Sequence, residues 1–181
     1  MALNQNLIEK TTIPDGVKGT RKTIEKMCNL AKLASQDPQF VSWVRLQMSD
    51  LPSKDYKAEA QRIFDIVKQY VRYVKDPAGL ELVQDPRSVL FRDGSGDCDE
   101  HASTIAAMAM AIGHKAAFRT ICADTDRPDE FSHVYAMIGI EDIKATDMTS
   151  WWPADTTQRT SFLGWNPPAD RVYCTKDWVL P

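Results

Sequence analysis

Between Cys98 and Gly113 the chain reads CDEHASTIAAMAMAIG. Beyond its first turn this stretch carries no charge, and Ala102, Ala106, Ala107, Ala109 and Ala111 give it a small-residue face. A helix so poor in polar side chains does not belong on a surface, and its alanines let neighbours approach from both sides. The segment is therefore expected to be a buried central helix around which everything else is arranged. Asp97 is a natural N-cap for it, and Gly113 stands where glycine is favoured just past a helix end.

The preceding half of the chain also reads as helix. In TRKTIEKMCNLAKLAS, Ile24, Met27, Cys28, Leu30, Ala31 and Ala34 recur on one face at helical spacing. DPQFVSWVRLQM opens with Asp37 as N-cap and Pro38 at the first helical position. A third helix is expected from Ser53 or Asp55 to Lys75, with Ile63, Val67, Tyr70, Val71 and Val74 as its stripe, stopped by Asp76-Pro77. AGLELVQDPRSVLFRDGSG is too broken by Pro and Gly for a long element.

After Gly113 the period changes. KAAFRTICA is a candidate strand, DTDRPDE a polar loop, and SHVYAMIGI alternates. Val134, Ala136, Ile138 and Ile140 share one face of it, His133, Tyr135 and Met137 the other. DIKATDM reads as the returning strand, and from Thr149 onward the chain is aromatic and Pro-rich with weak periodicity. Trp151, Trp152, Trp165 and Trp178 are expected as core cover. Helices followed by strands, without regular alternation, indicate an α+β domain with an antiparallel sheet. The 181 residues suit one domain, with residues 1–18 as an extended N-terminal segment, 58–149 as the core and 150–181 as a cover.

A net charge of −3 without a polybasic block argues against nucleic acid as partner. Nothing reads as a membrane span, and MALNQNLIEK lacks the charged and apolar regions of a secretory signal. A cytoplasmic, reducing setting is therefore expected, with Cys28, Cys98, Cys122 and Cys174 as free thiols.

Cys98 differs from the other three. At a helix start, unpaired backbone N–H groups and the macrodipole favour a thiolate and can also stabilise an oxyanion on an attacked carbonyl. Gly94 and Gly96 would permit close approach of backbone or substrate. Asp97, Asp99 and Glu100 oppose ionisation, so the thiol needs a cationic partner. His114 lies some four turns away at the far end of the helix. His101 shares the helix and is poorly aimed at a thiol off its end, so its default is a surface residue. His133, on a strand, is the better base. Asp147 on the following strand is available to orient it, provided the hairpin loop is odd in length, a register the sequence leaves open.

These segments, GDCDEHA, SHVYAMI and ATDMT, are similar to the transglutaminase-like superfamily of papain-type cysteine enzymes. The likeness runs from about Ala58 to Thr149 and is strongest to small stand-alone members from bacteria and their prophages. It implies a papain/transglutaminase-like fold, with N-terminal helices and a nucleophile helix packed on an antiparallel sheet. It further implies Cys98 as nucleophile, His133 as general base and acid, and Asp147 as orienting carboxylate. Many members carry a Trp near the His strand and another just before the Asp. Here those places read HVYAMI and IKATD, with Tyr135 and Lys144 nearby. Papain-like enzymes use an upstream side chain as second oxyanion donor, and Gln84 in LVQDP is nominated for it.

The expected function is thus acyl transfer from a protein or peptide amide through a thioester, without metal or other cofactor. Water as acceptor gives a protease or amidase, and a primary amine gives a transglutaminase. Hydrolysis is favoured because no device for excluding water is evident. Two other readings stand beside it. Cys98, His101, His133 and Asp147 are ligand types that zinc accepts, but their spacing fits no finger or ribbon. A non-catalytic binding or phage-assembly module would keep the fold without the chemistry. Cys28, Cys122 and Cys174 read as small buried hydrophobes.

Overall fold

The structure, a computed structural model, describes residues 8–11, 17–77, 81–139 and 150–181. Three helices come early: α1 (Val17–Gln36), α2 (Pro38–Gln47) and α3 (Tyr56–Tyr70), with a short strand β1 (Ile8–Thr11) before them. Asp37 caps α2 as expected, accepting from the amides of Gln39 and Phe40 at 3.0 and 2.9 Å. Of the expected α1 stripe, Ile24, Met27, Ala31 and Ala34 are buried. Helix α3 stops at Tyr70, five residues before the expected end. Val71 turns extended and the chain enters β2 (Arg72–Tyr73), which pairs in parallel with β4 (Ser95–Gly96). Tyr70 and Val74, expected in the apolar stripe, are exposed in consequence.

Strand β3 (Glu81–Gln84) pairs antiparallel with β1. The helical turn α4 (Pro86–Ser88) and a π-turn over Val89–Asp93 lead to β4 and the central helix α5 (Cys98–Ala111). Every residue of α5 from Asp99 to Ala109 is buried. Its alanine and methionine surface lies against α1, α2 and α3 on one side and the sheet on the other. Such close approach is possible because five of its fourteen residues are alanines, whose methyls are the only obstacle at those positions. The helix ends in a Schellman arrangement: Gly113 has φ +95°, its N–H donates to Met110 O, and the His114 N–H donates to Ala109 O.

The main sheet has the order β7-β6-β5-β8 and is antiparallel throughout, joining β5 (Lys115–Cys122), β6 (His133–Gly139), β7 (Trp152–Ala154) and β8 (Cys174–Val179). Alternation in β6 sends Val134, Ala136 and Ile138 toward α5 and the main core. Tyr135 and Met137 pack with Ala117, Ile121 and Trp151 in a second, smaller core on the other face. Trp151 is core cover, as expected. The polar loop DTDRPDE lies between β5 and β6, with Arg127 paired to Asp124 and Glu130. The returning strand expected at DIKATDM lies outside the described residues.

Two features of the C-terminal segment depart from expectation. It supplies two strands of the main sheet, β7 and β8, instead of only covering it. Their brevity and their aromatic residues hide the period-2 signal. In addition, Cys122 and Cys174 are not free thiols. They form a disulfide, standing directly opposite each other in the β5–β8 ladder with Cα atoms 5.0 Å apart. Fifty-two residues separate them, and only the strand pairing makes them neighbours. Cys28 and Cys98 remain free.

A cross-link spanning 52 residues restricts the unfolded chain, and loop-closure entropy puts its contribution at about 4 kcal/mol. Urea unfolding with and without reductant should therefore show a marked loss of stability on reduction. Peptide mapping of unreduced protein should return the Cys122 and Cys174 peptides joined; finding both singly alkylated would overturn the pairing.

Candidate active site

The start of α5 is fixed by reciprocal capping. The Asp97 carboxylate accepts from the Asp99 N–H at 3.0 Å, and Glu100 Oε2 accepts from the Asp97 N–H at 2.9 Å. Glu100 Oε1 accepts from the Gln84 N–H at 2.9 Å, so one buried carboxyl ties β3 to the helix start. Burial, then the neighbouring Asp97 charge, push Glu100 up to about 8, against the pull of those two amides. Gly96 is required here for a reason the sequence does not show. A Cβ on it would lie 2.3 Å from Glu100 Cβ, so the glycine makes room for the capping carboxyl. On the other side, β2 holds the approach to the cysteine through Arg72 N–H to Gly94 O and Val74 N–H to Gly96 O, both 2.8 Å.

Cys98 is half-buried at the first position of α5. Its thiol donates to Asp99 Oδ1 at 3.5 Å. Burial foremost, then the charges of Asp99 and Asp97, hold its pKa well above the ordinary thiol value. The backbone amide of Val134, hydrogen-bonded to the sulfur, pulls the other way. The resting group is thus a neutral thiol, and the helix dipole does not ionise it. The same Val134 amide places the sulfur at the beginning of β6, beside the residue that follows His133.

His133 is partly exposed at the start of β6. The entry to that strand is set by Ser132, whose N–H donates to Ile121 O at 3.0 Å and whose Oγ accepts from the Ala123 N–H at 2.9 Å. His133 Nε2 lies 2.8 Å from Asp155 Oδ2. Asp155 directly follows β7 and is 1% exposed. Its other oxygen accepts from the Thr157 N–H at 2.9 Å and the Thr157 hydroxyl at 2.7 Å. Burial raises the Asp155 pKa, but the His133 hydrogen bond and charge, with those from Thr157, outweigh it and leave the carboxyl below its usual range. An ionised carboxylate only accepts, so Nε2 carries the proton. In the neutral ring Nδ1 is then the basic nitrogen.

Asp147, expected to orient His133, lies outside the described residues. The carboxylate bonded to His133 is Asp155, which the sequence reading passed over. A signal for it was present. The Trp that often precedes the family's Asp is missing before Asp147, whereas Trp152 stands three residues before Asp155 in WWPAD. Gln84 ends β3, tied to the helix start through its amide, and its side-chain Oε1 is buried without a hydrogen-bond partner among the described residues. His101, expected on the helix surface, is 2% exposed and hydrogen-bonded to Thr156. The helix is enclosed at that turn as well, so no surface is available to it. Asp97, Cys98 and Asp99 bring three ligand-type atoms within 4.8 Å of one another. In this structure Asp97 and Asp99 serve the helix start and the thiol.

A neutral resting thiol has a measurable consequence. Alkylation of Cys98 should be slow at neutral pH and should climb by about tenfold per pH unit from about pH 6 to about pH 9. Peptide-resolved mass spectrometry would follow it; a rate already level below pH 7 would mean a preformed thiolate. Cys28, pushed up to about 11 chiefly by burial, should likewise label slowly at neutral pH.

No helix among the described residues is long and apolar enough to cross a membrane. No curated protein matches the chain. Among solved structures, the chain is similar to a candidate cysteine protease from Cytophaga hutchinsonii, with 15% identity and a TM-score of 0.51. The alignment covers 76% of this chain and 42% of that one, so this chain spans less than half of that protein, and at this identity the likeness speaks for the fold alone. The model of the transglutaminase-like superfamily matches residues 45–156, which include Cys98, His133 and Asp155. The chain belongs to the transglutaminase-like superfamily, with the mixed helix and antiparallel-sheet fold of its cysteine enzymes.

Proposed function

We propose that the chain is a thiol-dependent acyl-transfer enzyme acting on protein or peptide amides, with Cys98 as nucleophile, His133 as base and acid, and Asp155 as the orienting carboxylate. The observation that carries this reading is the His133–Asp155 bond at the strand start whose next amide meets the Cys98 sulfur. Asp155 stands in the role first given to Asp147 because it is the carboxylate in contact with the imidazole.

In the first step the Cys98 proton passes to His133 Nδ1 as the sulfur attacks the amide carbonyl. The C–N bond then breaks, the departing amine takes the proton from His133, and a thioester remains. Water, deprotonated by His133, attacks the thioester, returns the thiol and releases a carboxylic acid. A primary amine in place of water would yield a new amide; we favour water. Because the resting thiol is neutral, proton transfer and attack are coupled to substrate binding instead of starting from a stored ion pair. The Cys98 backbone N–H and the Gln84 amide are the oxyanion donors in this scheme. Gln84 is suited to the part because Glu100 links it to the first turn of α5.

We also infer a cytoplasmic setting, against which the Cys122–Cys174 disulfide, partly exposed at Cys174, is the opposing observation. The alternative of a binding or assembly module makes no use of an ionised Asp155 held against an imidazole, and is the weaker reading for that reason.

The test is turnover of a mixed peptide pool, with and without a primary amine, read by mass spectrometry. Cys98→Ala should abolish turnover. His133→Ala and Asp155→Asn should each lower kcat by about 10²–10⁴-fold, and Gln84→Ala by about 10²–10³-fold. Turnover surviving in Cys98→Ala would refute the assignment.

A further inference from the structure

His101 follows Cys98 by three residues, so its side chain lies on the same helix one turn further in. Its ring is enclosed, 2% exposed, and tilted against Tyr73 of β2 with centroids 6.1 Å apart. Nδ1 lies 2.7 Å from the Thr156 hydroxyl. Nε2 is buried and has no hydrogen-bond partner among the described residues. Leaving a ring nitrogen unpaired in a core costs stability. An apolar side chain of similar volume would avoid that cost. Among the described residues, its one polar contact is the bond to Thr156.

That contact closes a circuit. Thr156 is the residue after Asp155, Asp155 holds His133, and the Val134 amide beside His133 meets the Cys98 sulfur. From Cys98 the helix leads back to His101. The Asp155 end of the circuit is held further by Thr157 on its carboxylate and by Ser161, whose hydroxyl donates to the Asp155 carbonyl. Lys68 of α3 also donates to Ser161, which ties the loop to a different helix. The His101–Thr156 bond joins that loop directly to the nucleophile helix.

We propose that His101 is a positioning residue, which through Thr156 locks the orienting carboxylate Asp155 to the helix that carries the nucleophile. The inference rests on the acyl-transfer reading for its catalytic consequence, though the structural link stands independently of it. Burial, with the His133 charge and against Asp155, lowers the His101 pKa to about 4. The ring therefore stays neutral at ordinary pH and adds no second cation beside His133. With its proton on Nδ1, it donates to Thr156 and leaves only a lone pair unpaired in the core.

The chain has only three histidines, so a hydrogen-bonded imidazole proton is readily assigned. The first measurement is the downfield NMR signal of the His133 Nε2–H that donates to Asp155, identified by its absence in His133→Gln. It should persist in wild type and in His101→Asn, whose amide can take the place of Nδ1. It should be lost to solvent exchange in His101→Leu and in Thr156→Val. Thr156→Val is nearly isosteric and removes the same bond from the other side, should His101→Leu fail to fold.

The second measurement is turnover. His101→Leu and Thr156→Val should each lower kcat by about 10–100-fold, as expected for a small misplacement of a catalytic group, with KM little changed. The double variant should be no worse than either single one, and His101→Asn should recover most of the rate. An unchanged signal and an unchanged kcat in both single variants would overturn the proposal, as would effects that multiply in the double variant. If the signal responds but no Cys98-dependent turnover exists, the acyl-transfer reading fails while the positioning role stands. If turnover requires Cys98 yet neither variant moves signal or rate, only the positioning role fails.

Discussion

A helix buried over most of its length must still begin somewhere, and its first amides need partners where little water can supply them. Helix α5 meets this constraint by reciprocal capping, in which the Asp97 carboxylate takes the Asp99 amide and Glu100 takes the Asp97 amide. The second Glu100 oxygen takes the Gln84 amide of β3. One side chain thereby fixes the helix start, the end of β3 and the need for glycine at position 96. Placement of the thiol follows from it. Cys98 stands at the first turn because the cap is built there, and the helix stays enclosed because alanines let three helices and a sheet close over it.

The electrostatics of the site separate two roles that a helix start might have combined. Burial keeps Cys98 protonated, and Asp99 together with Asp97, the N-cap of α5, adds to it. Capping a buried helix and ionising a thiol at its tip are opposed demands, since the first needs negative charge and the second is hindered by it. The structure favours the cap. In the proposed mechanism activation of the sulfur therefore depends on the imidazole, and the imidazole is held by a carboxylate that remains ionised despite being 1% exposed. Three hydrogen bonds, from His133 and the two groups of Thr157, hold the buried carboxylate, while the Ser161 hydroxyl holds the Asp155 carbonyl.

Agreement between local signals and the fold is uneven along the chain. The caps at Asp37 and Asp97, the Schellman end at Gly113 and the face parity of β6 depend on neighbours within a few residues, and the structure bears each out. The end of α3 was misjudged because β2 pairs with β4, more than twenty residues later in the chain, and that pairing interrupts a helical period that otherwise continues. Strands β7 and β8 were missed because three and six residues with mixed faces carry too little period to detect.

The sequence by itself determined the buried central helix, the thiol at its start and a histidine on the strand face opposite to Val134 and Ala136. Composition and short-range spacing suffice for these, since each is a property of one element. Tertiary structure alone decided which acid meets His133, that Cys122 and Cys174 are bonded, and that His101 is enclosed. Each of those depends on pairing between segments distant in the chain: Asp155 lies 22 residues from His133, Thr156 lies 55 from His101, and Cys174 lies 52 from Cys122. Such register is set by the sum of contacts across a sheet, and no single residue or its neighbours encodes it.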